Sequence, residues 1–132
     1  MMVEQSIFQQ LVNASAHDRY TYFIEQVIKC KRVWIVLDEH NQVKMTGNDD
    51  NKRLVPVWPC KEYAQCCLQH APSGCRVIAI SLDTFMNELL LGMKKKGMLS
   101  SVFWNGLDTI IIGVDQLLFD LEWEIGKTEI IH

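Results

Sequence analysis

The chain has 132 residues, 48% of them hydrophobic and 22% charged, with a formal net charge of -3. That size and balance describe one globular domain, able to bury about two thirds of its unfolded surface with no help from a metal or a disulfide framework. Mild acidity without a basic stripe argues against an electrostatic grip on nucleic acid, and the longest apolar runs, Leu89-Leu90-Leu91 and Ile110-Ile111-Ile112, fall far short of the roughly 20 residues of a membrane span.

Residues 1–14 read as a short leading helix or arm, in which Gln9, Gln10 and Asn13 interrupt the apolar residues and Glu4 stands where an export signal would carry a cation. A cytoplasmic location is therefore expected. Ser15, with Asp18 three positions on, marks the N-cap of a longer helix. Tyr20, Phe23, Ile24, Val27 and Ile28 follow at the spacing of one apolar helix face. After Lys31-Arg32 the run Val33-Trp34-Ile35-Val36-Leu37 suits a strand buried on both faces. Strands at 42 to 46 and 53 to 57 flank a polar hairpin tip running from Gly47 to Lys52.

Trp58 stands where strand gives way to a helix over 60 to 70, and Pro59 suits the first helical position because its missing N–H costs nothing there. Tyr63, Ala64, Cys67, Leu68 and Ala71 form the inner side of this helix, and Pro72-Ser73-Gly74 ends it. A strand at 76 to 80 leads to Ser81 as a second N-cap, followed by the stripe Leu82, Phe85, Met86, Leu89, Leu90 and Met93. Lys94-Lys95-Lys96-Gly97 is a C-terminal signature, with cations at the negative helix end and glycine just past it. Strands at 98 to 104 and 109 to 114 are joined through Asn105-Gly106-Leu107-Asp108 as a hairpin, and Asp115 is placed to cap a last helix facing inward with Leu117, Leu118, Leu121 and Ile125. The sum is an α+β domain over 1–132, a single mixed, mainly antiparallel sheet covered by helices.

Several stretches occur together and in order between about residues 15 and 125: Arg19-Tyr20-Thr21-Tyr22-Phe23, Val33-Trp34, Val55-Pro56-Val57-Trp58-Pro59 with Glu62-Tyr63-Ala64, and Ala79-Ile80-Ser81-Leu82-Asp83-Thr84-Phe85. In these the sequence resembles the DUF2750 family, small bacterial proteins of unknown function. The resemblance implies a stand-alone domain with no assigned activity. Cys60 stands where such proteins often carry a polar or histidine residue, and Cys66-Cys67 matches no family feature.

Cys30, Cys60, Cys66, Cys67 and Cys75 form an odd set without a CxxC pair, which fits reduced thiols. Cys60, near a helix N-terminus where a thiolate is favoured, is the candidate reactive thiol; the structural alternative is a cysteine not exposed enough to react. His17, His40, His70 and His132 lack ligand spacing, so no metal site is expected. Signatures of nucleophile elbows, P-loops, dinucleotide folds and zincins are absent, and neither a catalytic residue nor a cofactor is expected.

Two readings of function remain. The first is a small cytoplasmic, non-catalytic binding or protein-interaction module whose partner surface includes Trp58 and Trp104. The second is a small-molecule-binding or enzymatic domain with a site near Trp34, Asp38, Trp58 and Glu62, against which stand a solvated turn for Asp38 and a first-turn helix acid for Glu62. The partner is a protein or a small molecule, neither nucleic acid nor membrane, and a homodimer is left open.

Overall fold

The computed structural model describes residues 9–47, 52–68 and 74–130. Helix α1 (Ala16–Cys30) begins at Ser15, whose hydroxyl accepts the Asp18 N–H at 3.1 Å, so the capping signal acts as expected. Phe23, Ile24 and Val27 of its apolar face are buried, with Tyr20 and Ile28 half-buried beside them. The helix stops at Lys31, which adopts the left-handed conformation usually given to glycine, at φ 59 and ψ 33.

Strand β1 (Arg32–Leu37) leads into a tight turn in which the Asp38 N–H donates to the Gln42 carbonyl at 2.8 Å and Asn41 takes a φ of 63. The strand expected at 42 to 46 is shared between two neighbours. Val43 bridges back to Leu37, and only Thr46–Gly47, strand β2, pairs with β3 (Arg53–Val57). The residues between β2 and Lys52 lie outside the described residues.

Helix α2 (Lys61–Cys67) starts later than expected, with Cys60 at the N-cap and Pro59 ahead of it. The reason is the backbone of Trp58, which stays extended to exchange two hydrogen bonds with Trp34, at 3.0 and 2.9 Å. Residues 69–73, with the expected end of this helix, lie outside the described residues. Strand β4 (Arg76–Ser81) runs into helix α3, which passes through Leu82–Thr84, a π-helical turn at Phe85–Leu89, and Leu90–Lys95. Ser81 Oγ accepts the Thr84 N–H at 3.0 Å. At the far end the Met98 N–H reaches the Met93 carbonyl and the Gly97 N–H that of Lys94, the paired bonds of a Schellman motif, with both methionines buried.

Strands β5 (Leu99–Val102) and β6 (Ile110–Ile112) form the expected hairpin, with ends trimmed from the expected 98 to 104 and 109 to 114. Helix α4 (Val114–Ile130) starts two residues earlier than an Asp115 cap implies, with Val114 itself buried. Asp115 therefore sits in the first turn instead of capping it, and pairs with Lys94 at 2.8 Å.

The fold is α+β, and its strands are mostly antiparallel, with β3–β5 the parallel exception. They fall into two ladders, β1–β4 and β2–β3–β5–β6, joined by the Trp34–Trp58 bridge. A parallel pair needs a long crossover, which α2, β4 and α3 supply between β3 and β5. Phe23 and Val27 of α1, Leu90 of α3, and Leu117 and Leu121 of α4 fill the core against Val33, Val57 and Val102. Among the described residues no helix is long and apolar enough to cross a membrane.

Candidate functional site

The residues that connect β5 to β6 form a heavily tied loop. Phe103 opens it in the left-handed region at φ 54, fully buried, with its N–H donated to the Val57 carbonyl at 2.9 Å. An L-residue held there stores strain, so its surroundings must hold it in place. They do so from three sides. Tyr63 packs on the Phe103 ring at 4.7 Å between centroids, Tyr22 at 6.3 Å, and the Arg19 guanidinium sits 5.8 Å above it.

Arg19 is only 1% exposed. Its Nε donates to the Phe103 carbonyl at 3.0 Å, Nη1 to the Ala14 carbonyl at 2.5 Å, and Nη2 to the Asp108 carbonyl at 2.9 Å. Nη2 also pairs with the Asp108 carboxylate. The planar guanidinium thus holds both ends of the loop at once, as a lysine could not. Asn105 completes the tie: its Oδ1 accepts the Leu107 and Asp108 N–H groups at 3.0 Å each, and its Nδ2 donates to the Val12 carbonyl at 2.7 Å. What the loop then presents is apolar. Trp104 is 38% exposed and Leu107 89% exposed.

Trp58 supports this surface from beneath and does not belong to it. It is 2% exposed, and its Nε1 donates to the Trp104 carbonyl at 2.9 Å. The same carbonyl accepts from Cys67 Sγ at 3.1 Å. Burial explains why Trp58 cannot be surface: it closes the junction of the two ladders and the floor under Trp104. The small cavity at this point, lined by Val12, Tyr63, Cys66, Cys67, Phe103, Trp104 and Asn105, holds about 60 Å3, well below the roughly 300 Å3 of the smallest ordinary ligand sites.

The other residues singled out in the sequence are dispersed. Trp34 and Trp58 meet through their backbones, but Asp38 lies at the far end of β1, roughly 13 Å of strand away from Trp34. Its carboxylate accepts the His40 and Gln42 N–H groups at 2.8 and 3.0 Å, and these backbone donors, Gln42's foremost, hold its pKa below the usual carboxylate value. Glu62 is an exposed acid in the first turn of α2. Cys60 makes a 3.9 Å contact with the Tyr22 hydroxyl, and burial pushes its thiol pKa up, against the activation that a helix start would give. Burial likewise raises Cys67 to about 11 and Tyr63 to about 12. Among the described residues no cluster of three or more His, Cys, Asp or Glu side chains could hold a metal.

The family model described as a protein of unknown function, DUF2750, matches residues 20–121. The chain belongs to the DUF2750 family. None of the curated proteins matches it. In this DUF2750 protein the matched span takes in β1, the Trp58 junction, α2, α3 and the loop with Trp104, while Arg19, which clamps that loop, stands one residue before it.

Proposed function

We propose that the protein is a cytoplasmic, non-catalytic binding module that presents the rigid loop of Trp104 and Leu107 to a protein partner. The single observation that carries this reading is an apolar loop tip held in one conformation by a buried arginine. Ordering a mobile segment on binding costs free energy, and a surface fixed in advance avoids that cost. Aromatic anchors beside apolar neighbours are also what interface centres are made of. The five free cysteines fit a reducing compartment.

The test is affinity capture from lysate of the cells that make the protein, comparing wild type with Leu107→Glu and with Trp123→Ser on α4, where Phe119 and Trp123 form a second exposed aromatic pair. A partner retained by wild type and Trp123→Ser but lost by Leu107→Glu is the expected result. Loss only in Trp123→Ser would move the interface to α4 and refute the loop reading.

A further inference from the structure

The ladder of β1 and β4 ends in an open edge. Strand β1 is engaged on both sides, by β4 on one and by the Trp58 and Val43 bridges on the other, whereas no strand among the described residues lies beyond β4. Which backbone groups face that edge follows from the bonds of Trp34. Its N–H and C=O are both used by Trp58, and the Val36 carbonyl accepts the Lys44 N–H, so these two residues turn away from β4. An antiparallel ladder alternates hydrogen-bonded and non-hydrogen-bonded pairs. Trp34 stands opposite Ala79 and Val36 opposite Val77, so Ile78 and Ile80 bond inward to Ile35 and Val33, while Val77 and Ala79 point their N–H and C=O groups outward. None of these four groups has a partner among the described residues.

The side chains agree. Val33 and Ile35 are buried, but Ile80 and Ile78, which stand opposite them on the same face of the ladder, are only half-buried, and Ala79 is exposed. The edge strands of the other sheet are protected by their brevity, with two residues in β2 and three in β6. Strand β4 has six residues, with neither a proline nor a lysine to discourage pairing. Unpaired N–H and C=O groups at this regular spacing recognise an extended chain.

We propose that this edge pairs with β4 of a second copy of the chain, antiparallel, about a two-fold axis at Ile78. In that register Val77 faces Ala79 of the second copy and Ala79 faces its Val77, so the two outward N–H and two outward C=O groups of each chain are all satisfied. Ile78 meets its own counterpart across the axis, which covers the half-buried isoleucines of both edges. Arg76, the one charge of the strand, falls opposite Ile80 and not opposite its like. Such self-complementarity is what a two-fold interface requires and favours a second copy over a foreign strand. Two marginal two-stranded ladders become one of four strands.

Sedimentation of the full chain from micromolar to millimolar concentration, with amide hydrogen exchange on the same samples, tests this. The expected result is a monomer–dimer equilibrium in which the Val77 and Ala79 amides exchange about tenfold more slowly in the dimer, while those of Ile78 and Ile80 are protected in both states. Ala79→Pro and Val77→Pro each remove only an outward N–H, and proline is tolerated on that side of an edge strand. Whichever retains a cooperative melt should stay monomeric, and Trp123→Ser, which alters the exposed aromatic pair of α4, should dimerise as wild type does. The wild-type amides carry the test by themselves if neither proline variant folds. A wild-type monomer at every concentration, a dimer that leaves the Val77 and Ala79 amides unprotected, or a dimer that survives the proline substitution or is lost with Trp123→Ser would each overturn the proposal.

Discussion

Arg19 shows what one buried charge can organise. Its four acceptors are the carbonyls of Ala14, Phe103 and Asp108 and the Asp108 carboxylate, and the three carbonyls matter more than the ion pair because Asp108 is 61% exposed. Hydrogen bonds to a charged group contribute about 1.5–3 kcal/mol when their loss strands a buried partner, whereas an ion pair open to solvent contributes about 0–1 kcal/mol. Arg19→Met should therefore destabilise the fold by about 3–5 kcal/mol and Asp108→Asn by under about 1 kcal/mol, read from urea midpoints. Equal losses would mean that the ion pair, and not the carbonyl clamp, holds the loop. Arg19 was legible in the sequence only as part of a family stretch, because its partners in the loop lie 84 and 89 residues away and arginine is a surface residue by default. The available signal was its place four residues before Phe23 and eight before Val27, in the buried row of α1. Trp58 escaped in the same way: an aromatic at a strand-to-helix junction reads alike whether it faces a cleft or closes a core.

Elements whose signals are local could be read directly. The Ser15 and Ser81 caps and the Gly97 ending each depend on atoms within five residues, so spacing alone identifies them. The π turn of α3, the late start of α2 and the split pairing of 42 to 46 depend on contacts from elsewhere in the chain and left no periodic trace. Two glycines separate the local from the tertiary share of such constraints. Gly97 has a φ of +69 with open space where a Cβ would stand, so Gly97→Ala should cost about 1–2 kcal/mol from backbone strain alone. Gly74 has a φ of +95, and a Cβ there would lie 2.8 Å from Glu39 Cβ, forcing the turn after β1 to move. Gly74→Ala should thus lower the melting temperature more than Gly97→Ala does. Equal shifts in a thermal melt would show that the Glu39 turn yields freely.

For the whole molecule the question is whether two ladders make one folding unit. A two-stranded ladder such as β1–β4 is marginal by itself, so its stability must come from what it shares with the rest. Three things are shared: the paired backbone bonds of Trp34 and Trp58, the α1 and α3 side chains packed in one core with Val33 and Val57, and Trp58 reaching from that junction to the Trp104 loop. If these couple the ladders, slow hydrogen exchange of the β4 amides and of the β5 amides should report one free energy, equal to that from urea unfolding followed by circular dichroism. Breaking the link without emptying the core is the sharper form of the test. Trp58→Phe removes the Nε1 bond to the Trp104 carbonyl and keeps an aromatic ring at the junction, so it should lower both exchange free energies together by about 1–3 kcal/mol. A variant in which β4 loosens while β5 keeps its protection would show two separable units meeting at a tryptophan, and the loop of Trp104 would then draw its rigidity from Arg19 and Asn105 without Trp58.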